Sequence, residues 1–146
     1  MTLILGLNAW HADSAACIVR DGELIAAAEE ERFRRVKHWA GFPSKAIRYC
    51  LEEAGATLAD LDHIAVNRDP KAHLMKKALF AFRHRPSLSM VTDRLKNAGR
   101  IGGMDAAFAR AFPGETHGAT IHNVEHHTAH LASSFFVSPF EEAAVV

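Results

Sequence analysis

The opening third of the chain is cut by turn-forming residues into short apolar runs, none long enough to make a buried helix, and this limits it to a domain that begins as a β-meander. Residues 3–8 (LILGLN) and 14–20 (SAACIVR) predict two strands that pair as a hairpin. Asp21-Gly22 closes the second of them, because a two-residue hairpin turn needs residues that tolerate positive φ. The next run, ELIAAAEEERF, is apolar first and acidic last, and predicts a third antiparallel strand with its charged end carried toward a rim. Pro43 and Ser44 then open SKAIRYCLEEAG, where Ala46, Ile47, Cys50, Leu51 and Ala54 recur at helical spacing and Gly55 stands at the C-cap. After the polar turn LADLD, residues 63–67 (HIAVN) predict a fourth strand closed by Asp69-Pro70. The order is β-β-β-α-β.

From Lys71 to Phe112 the sequence turns basic and helical, interrupted at Pro86 and at Gly102-Gly103, and predicts a helical insertion spanning 70–115. Residues 119–124 (ATIHNV) predict a fifth strand, and HHTAHLASSFF a helix stopped by Ser138-Pro139. The final AAVV is an apolar strand-like run without a polar tail, which reads as a domain interrupted inside a buried strand. No internal repeat is visible.

Charge narrows the partners. Seventeen basic residues balance seventeen acidic ones, so nothing in the net charge argues for nucleic acid or a membrane surface, and a small molecule is the expected partner. The N-terminus has no basic leader, and no run approaches the roughly 20 apolar residues of a membrane span, so a cytoplasmic setting is expected. Cys17 and Cys50 each sit in an apolar pattern and are expected to be reduced core residues.

Candidate chemistry gathers in three places. His126 and His130 are four apart in a predicted helix, so both imidazoles share one face and can share one metal ion, or else are simply packed and hydrogen-bonded. His127 lies roughly 100° away around the helix and is a poorer co-ligand. The loop Asn8-Ala9-Trp10-His11-Ala12-Asp13-Ser14 collects amide, imidazole, carboxylate and hydroxyl in one short turn, which suits a ligand site and equally suits a turn held by its own side chains. The basic run RFRRVKH, with Lys37, comes after a strand beside that loop and can bring cations to an anionic group or serve as a solvated edge. Among Glu29, Glu30 and Glu31, at most Glu29 and Glu31 share a side if the strand continues, so no metal site is expected there. His63, His73, His84, His117 and His122 show no mutual spacing that defines a site. No phosphate-cradling Gly-rich loop and no G-x-S-x-G occurs.

Four segments taken together are far more specific than any one motif: ILGLNAWHADSAACIVRDGELIAAAEEERF, RVKHWAGFPSKAIRYCLEEAG, LDHIAV, and VEHHTAHLASSFF with FEEAAVV after it. With them the chain resembles the NodU/CmcH-type O-carbamoyltransferases, which modify nodulation factors and antibiotics. The resemblance implies an α/β fold: the ribonuclease-H-like half of an actin-like (ASKHA) domain with a mixed sheet, similar to the tRNA threonylcarbamoyltransferase proteins. It implies a longer protein, in which a YrdC-like domain makes carbamoyl-adenylate from ATP and carbamoyl phosphate and the actin-like domain passes the carbamoyl group to a hydroxyl of a small-molecule acceptor. The remainder of its own chain, the second lobe and the YrdC-like domain, is the implied macromolecular partner.

Carried over by motif, the family's H-x-x-x-H falls on His126 and His130, which would bind a divalent metal that is iron-like in the relatives, zinc and manganese also suiting imidazole and carboxylate with only a modest preference among the three. The next ligand, an aspartate of a V-D-G turn, falls beyond Val146. The loop histidine of the H-D-x-S-A pattern falls on His11 and the lysine of the basic run on Lys37, both expected to face the carbamoyl-adenylate or the acceptor, His11 as the base. Asn8, Asp13 and Ser14 are the expected substrate-binding residues of the same loop. Here the loop reads HADSA, with its carboxylate one position late. A non-catalytic nucleotide- or metal-binding module of the same superfamily is the alternative reading, and a fragment that recruits a missing half through a strand edge is a third.

Overall fold

The computed structural model describes residues 1–68, 103–136 and 138–144. The chain divides into two compact units, residues 1–70 with 117–146, and residues 71–116. The first carries a five-stranded mixed sheet in the order β3-β2-β1-β4-β5. Its strands are β1 (Leu3–Asn8), β2 (Ala15–Arg20), β3 (Glu23–Glu29), β4 (His63–Val66) and β5 (Thr120–Asn123). β1, β2 and β3 pair antiparallel, and β4 and β5 run parallel to β1. This is the ribonuclease-H-like arrangement expected from the sequence.

Alternation explains β1, β2 and β4. Leu3, Leu5 and Leu7 of β1 are buried, and the register sets Leu5 beside Ile18 and Ile64, and Leu7 beside Ala16 and Val66, in one apolar face. Burying each large aliphatic side chain contributes about 1.5–3 kcal/mol. Against β2 and β3 packs α2 (Ser44–Ala54), through its buried stripe Ala46, Ile47, Cys50, Leu51 and Ala54. Gly55 takes φ 59° and returns its amide to Glu52 and Leu51, ending the helix where the sequence predicts. The Arg20 guanidinium donates to the Ala54 carbonyl at the same end. At the β2–β3 turn Asp21 and Gly22 have φ 50° and 91°, the two positive values that a type I′ turn requires.

One expectation is corrected. The third strand does not run through EEERF: β3 stops at Glu29, and Glu30–Arg34 forms the short helix α1, which ends on Arg35 at φ 57°. The reason lies in Glu30, which is fully buried. Pro43 occupies the N-cap of α2 and offers no side-chain acceptor to the first turn. Glu30 supplies it instead, accepting from the Lys45 and Ala46 amides at 2.9 and 2.8 Å while Arg34 donates to its other oxygen at 2.6 Å. A helical turn places Glu30 and Arg34 on one face, where a strand would have alternated them away from this cap.

The link between α2 and β4 holds a 3₁₀ turn, Leu58–Asp60, closed by a reciprocal capping box between Thr57 and Asp60. The first unit continues through β5 into α4 (His126–Phe135). The second unit contributes α3 (Met104–Ala111), which buries Ala107 and Phe108. Residues 69–102, most of the expected helical insertion over 70–115, lie outside the described residues, as do Val145 and Val146 of the expected terminal strand. Ala143 and Ala144 have no regular structure.

Glu30→Ala is expected to cost about 3–5 kcal/mol, because it strands the Arg34 charge and the α2 amides together, whereas Glu29→Ala should change stability by less than about 0.5 kcal/mol. Urea midpoints of the two variants check this. A β-carbon at Gly6 would lie 2.7 Å from the Cys17 sulfur, so Gly6→Ala should lower the midpoint and added Cys17→Ala should recover most of the loss.

Candidate functional site

The parallel strands β1, β4 and β5 all end on one side of the sheet, and the segments that leave them meet there. After β1 comes the loop 9–14, after β4 comes Asn67, and after β5 comes the N-terminus of α4. The loop is built by its own polar groups. Asn8 donates to the Ala12 and Asp13 carbonyls at 3.3 and 2.9 Å, and its carbonyl oxygen accepts from Asn67 at 3.1 Å. Ser14, buried, donates through its hydroxyl toward the His11 and Gly41 carbonyls at 3.0 and 2.9 Å and accepts from the Gly41 amide at 3.0 Å. Trp10 and Ser14 donate their amides to the carbonyls of Gly41 and Trp39. The segment 38–41 is therefore laced along the loop, as a strap.

Three imidazoles come together above it. The His126 and His130 Nε2 atoms stand 3.1 Å apart, and the ring of His11 lies 5.4 Å, centroid to centroid, from that of His126. Two nitrogens at this separation share one proton or one cation. For metal–nitrogen bonds of about 2.0–2.1 Å, a tetrahedral ion needs its ligands about 3.3 Å apart, so the pair fits two positions of a divalent ion with little movement. Among the described residues no group of three His, Cys, Asp or Glu could hold a metal ion, so the pair offers two donor nitrogens and no third. His11 Nδ1 lies 3.3 Å from the Ala12 carbonyl. A carbonyl only accepts, so Nδ1 is the donor in this contact, and in the neutral ring the lone pair is then on Nε2.

Glu125 caps the histidine helix. It accepts from the Thr128 amide at 2.9 Å and from His127 Nδ1 at 2.9 Å, and the first of these, then the second, pulls its carboxyl down to about 2. The same bond turns His127 away from the pair, in line with its angular position in the sequence.

The basic run is occupied by carboxylates. Lys37 donates to Glu31 at 2.9 Å, Arg34 to Glu30, and His38 Nδ1 lies 2.8 Å from the Asp13 carboxylate. The residue that ties this run to the loop is thus His38, which spacing alone does not single out, through Asp13. Arg34 also lies over the Trp39 ring, 4.3 Å from its centroid.

A cavity of about 900 Å³ opens on the sheet beside the loop, lined by Gly6, Asn8, Ala65, Asn67, Val124 and Ala129 among others. That is the size of a small-molecule cleft, from about 300 to 1,000 Å³, and Glu29, Arg32, Phe33 and Tyr49 line it beside the small residues. The thiols offer no nucleophile: burial raises Cys17, and burial first, then the neighbouring Cys17, pushes Cys50 up to about 11. Both are free. No helix among the described residues is long and apolar enough to cross a membrane.

Sheet order defines the chain as a ribonuclease-H-like α/β protein, with a cleft at the carboxyl ends of its parallel strands and the three imidazoles on the segments that leave those strands. A family model described as carbamoyltransferase N-terminus matches residues 3–99, and the chain belongs to that family. It is 37% identical over its full length to the uncharacterised protein sll1178 of Synechocystis sp., and 34% identical over 95% of its length to nodulation protein NolNO of Sinorhizobium fredii. The chain spans 25% and 19% of those two proteins. Among solved structures it is similar to YeaZ from Pseudomonas aeruginosa, with a TM-score of 0.44 and 16% identity over 86% of this chain and 43% of that one.

Glu31 is held below the ordinary glutamate value, first by Lys37 and then by the His38 amide. Because the folded value is depressed, this stabilisation is complete above the ordinary value and is lost as pH falls through the folded one. Lys37→Met should therefore move the Glu31 titration upward, as tracked by its side-chain carboxyl resonance in NMR.

Proposed function

We propose that this chain forms the acceptor side of an ATP-dependent O-carbamoyltransferase, which moves a carbamoyl group from carbamoyl phosphate, by way of carbamoyl-adenylate, to a hydroxyl of a small-molecule acceptor such as a sugar or natural product. The observation that carries the reading is the meeting of His11 with the His126/His130 pair beside a cleft of small-molecule size. Family membership supports carbamoyl chemistry, and the balanced charge favours a small acceptor over a polyanion.

His126 and His130 would hold a divalent ion of the iron, zinc or manganese class, which when bound would draw negative charge from the donor's phosphate. His11 Nε2 takes the proton of the acceptor hydroxyl, and that oxygen bonds to the carbamoyl carbon as the carbon–oxygen bond to the phosphate breaks and AMP leaves. Asn8 and Ser14 position His11 by closing its loop, and Asp13 by binding His38. Lys37, bound to Glu31, reaches the donor's phosphate only by exchanging partners. The remainder of the protein, with a second lobe and a YrdC-like domain, supplies the adenylate in a cytoplasmic setting.

The test is an assay of the protein that carries this chain, with ATP, carbamoyl phosphate and a panel of hydroxylated acceptors. Carbamoylated product is expected from the wild type. His11→Ala should lower transfer by about 100-fold or more, within the range of a lost general base, while leaving carbamoyl-phosphate-dependent pyrophosphate release intact. Near-normal transfer in His11→Ala removes it as the base, and absence of product from the wild type with every acceptor sinks the reading.

A further inference from the structure

A second imidazole pair lies on the sheet itself. His63 opens β4 and His122 sits within β5, and the parallel register pairs His63 with Thr120 and Ala65 with His122. The two histidines are therefore diagonal neighbours on one face, since each is two residues from the other's partner. The His63 Nδ1 and His122 Nε2 atoms stand 3.2 Å apart, with ring centroids at 5.0 Å and planes at 68°. In sequence they are 59 residues apart.

We infer that His63 and His122 form a second divalent-metal site, for an ion of the zinc, copper or nickel class. A tetrahedral ion with nitrogen ligands at about 2.0–2.1 Å separates them by about 3.3 Å, and a right-angled pair of ligands by about 2.9 Å. The observed 3.2 Å falls between these values. Imidazole suits those three ions. The scaffold is also the kind that fixes ligands: both residues stand on regular strands joined by a backbone ladder, so their spacing is set by the sheet. β5 is the outermost of the described strands and His122 is exposed, which leaves the remaining coordination positions to water or to an incoming ligand. The bite matches that of His126 and His130, 3.1 Å, although one pair is built on a helix and the other across two strands. Nothing in this site depends on the transferase reading.

The experiment titrates zinc chloride into the chain carrying His126→Ala and His130→Ala, which silences the helix pair, with calorimetry and histidine ring NMR as readouts. One ion per chain is expected, with the ring resonances of His63 and His122 shifting together. Adding His122→Ala should weaken association by about tenfold or more, since losing one of two ligands costs at least as much as losing an outer-shell partner. His122→Asp keeps a ligand at the same place and should lose less, and unchanged circular dichroism ties either loss to the ligand rather than the fold. Binding of equal strength with and without His122, or zinc-induced shifts confined to other histidines, overturns the site.

Discussion

A carboxylate buried between two helices organises the first unit. Glu30 is inaccessible to water, and an ionised group there survives only if each oxygen is occupied. One oxygen takes two amides from the first turn of α2, the positive end of that helix, and the other takes Arg34. These contacts reach in two directions. Through the amides they fix where α2 starts, and so how its apolar stripe lies on β2 and β3. Through Arg34 they reach the ring of Trp39, whose carbonyl receives the Ser14 amide. Glu30 itself donates its amide to the Ser14 carbonyl at 2.8 Å. The core and the loop that carries His11 are thus anchored to the same residue.

The loop and its strap hold an unfavourable backbone. Trp10, Asp13 and His38 all have positive φ, between 53° and 60°, in side chains larger than glycine. Each such residue costs on the order of 1 kcal/mol and persists only where its surroundings over-determine it. The over-determination is visible: Ser14 and Gly41 are joined by reciprocal bonds, His38 is held by Asp13, and Trp10 lies against Phe42 at 5.9 Å. Gly41 is required for contact, since any β-carbon there would lie 2.9 Å from the Trp39 indole nitrogen. A loop stabilised in this way presents His11 in one place, as the proposed role of general base requires.

Much of this is legible in the sequence because local pattern decides it. Alternation marks β1 and β2, the Asp-Gly pair marks the hairpin, and the 3.6-residue stripe marks α2 with its Gly55 cap. The i, i+4 spacing of His126 and His130 places their rings together without any tertiary information. Where pattern misleads, the reason is physical. Glu30 reads as one of three strand-end acids because its partners are the amides of a helix that begins 14 residues later. The available signal is negative: α2 opens after proline with no acid in its first turn, so its amides have to be capped from elsewhere. His63 and His122 show no spacing that marks a site, because the register of two parallel strands joined through a long connection cannot be read from spacing.

The location of the site depends on chain direction more than on any one residue. In a sheet whose parallel strands turn over the same edge, the segments leaving those strands crowd together, and the gap between them is where ligands bind in open α/β folds. β1 leads into the histidine loop, β4 into Asn67, and β5 into Val124, Glu125 and His126. Asn8 and Asn67 join the first two exits by a side-chain bond, and Glu125 fixes the third by starting α4 at once after the strand. Had a longer connection separated β5 from α4, His126 would not be held beside His11. The cap on α4 therefore helps to decide that the paired nitrogens and the loop imidazole come together at the same edge of the sheet.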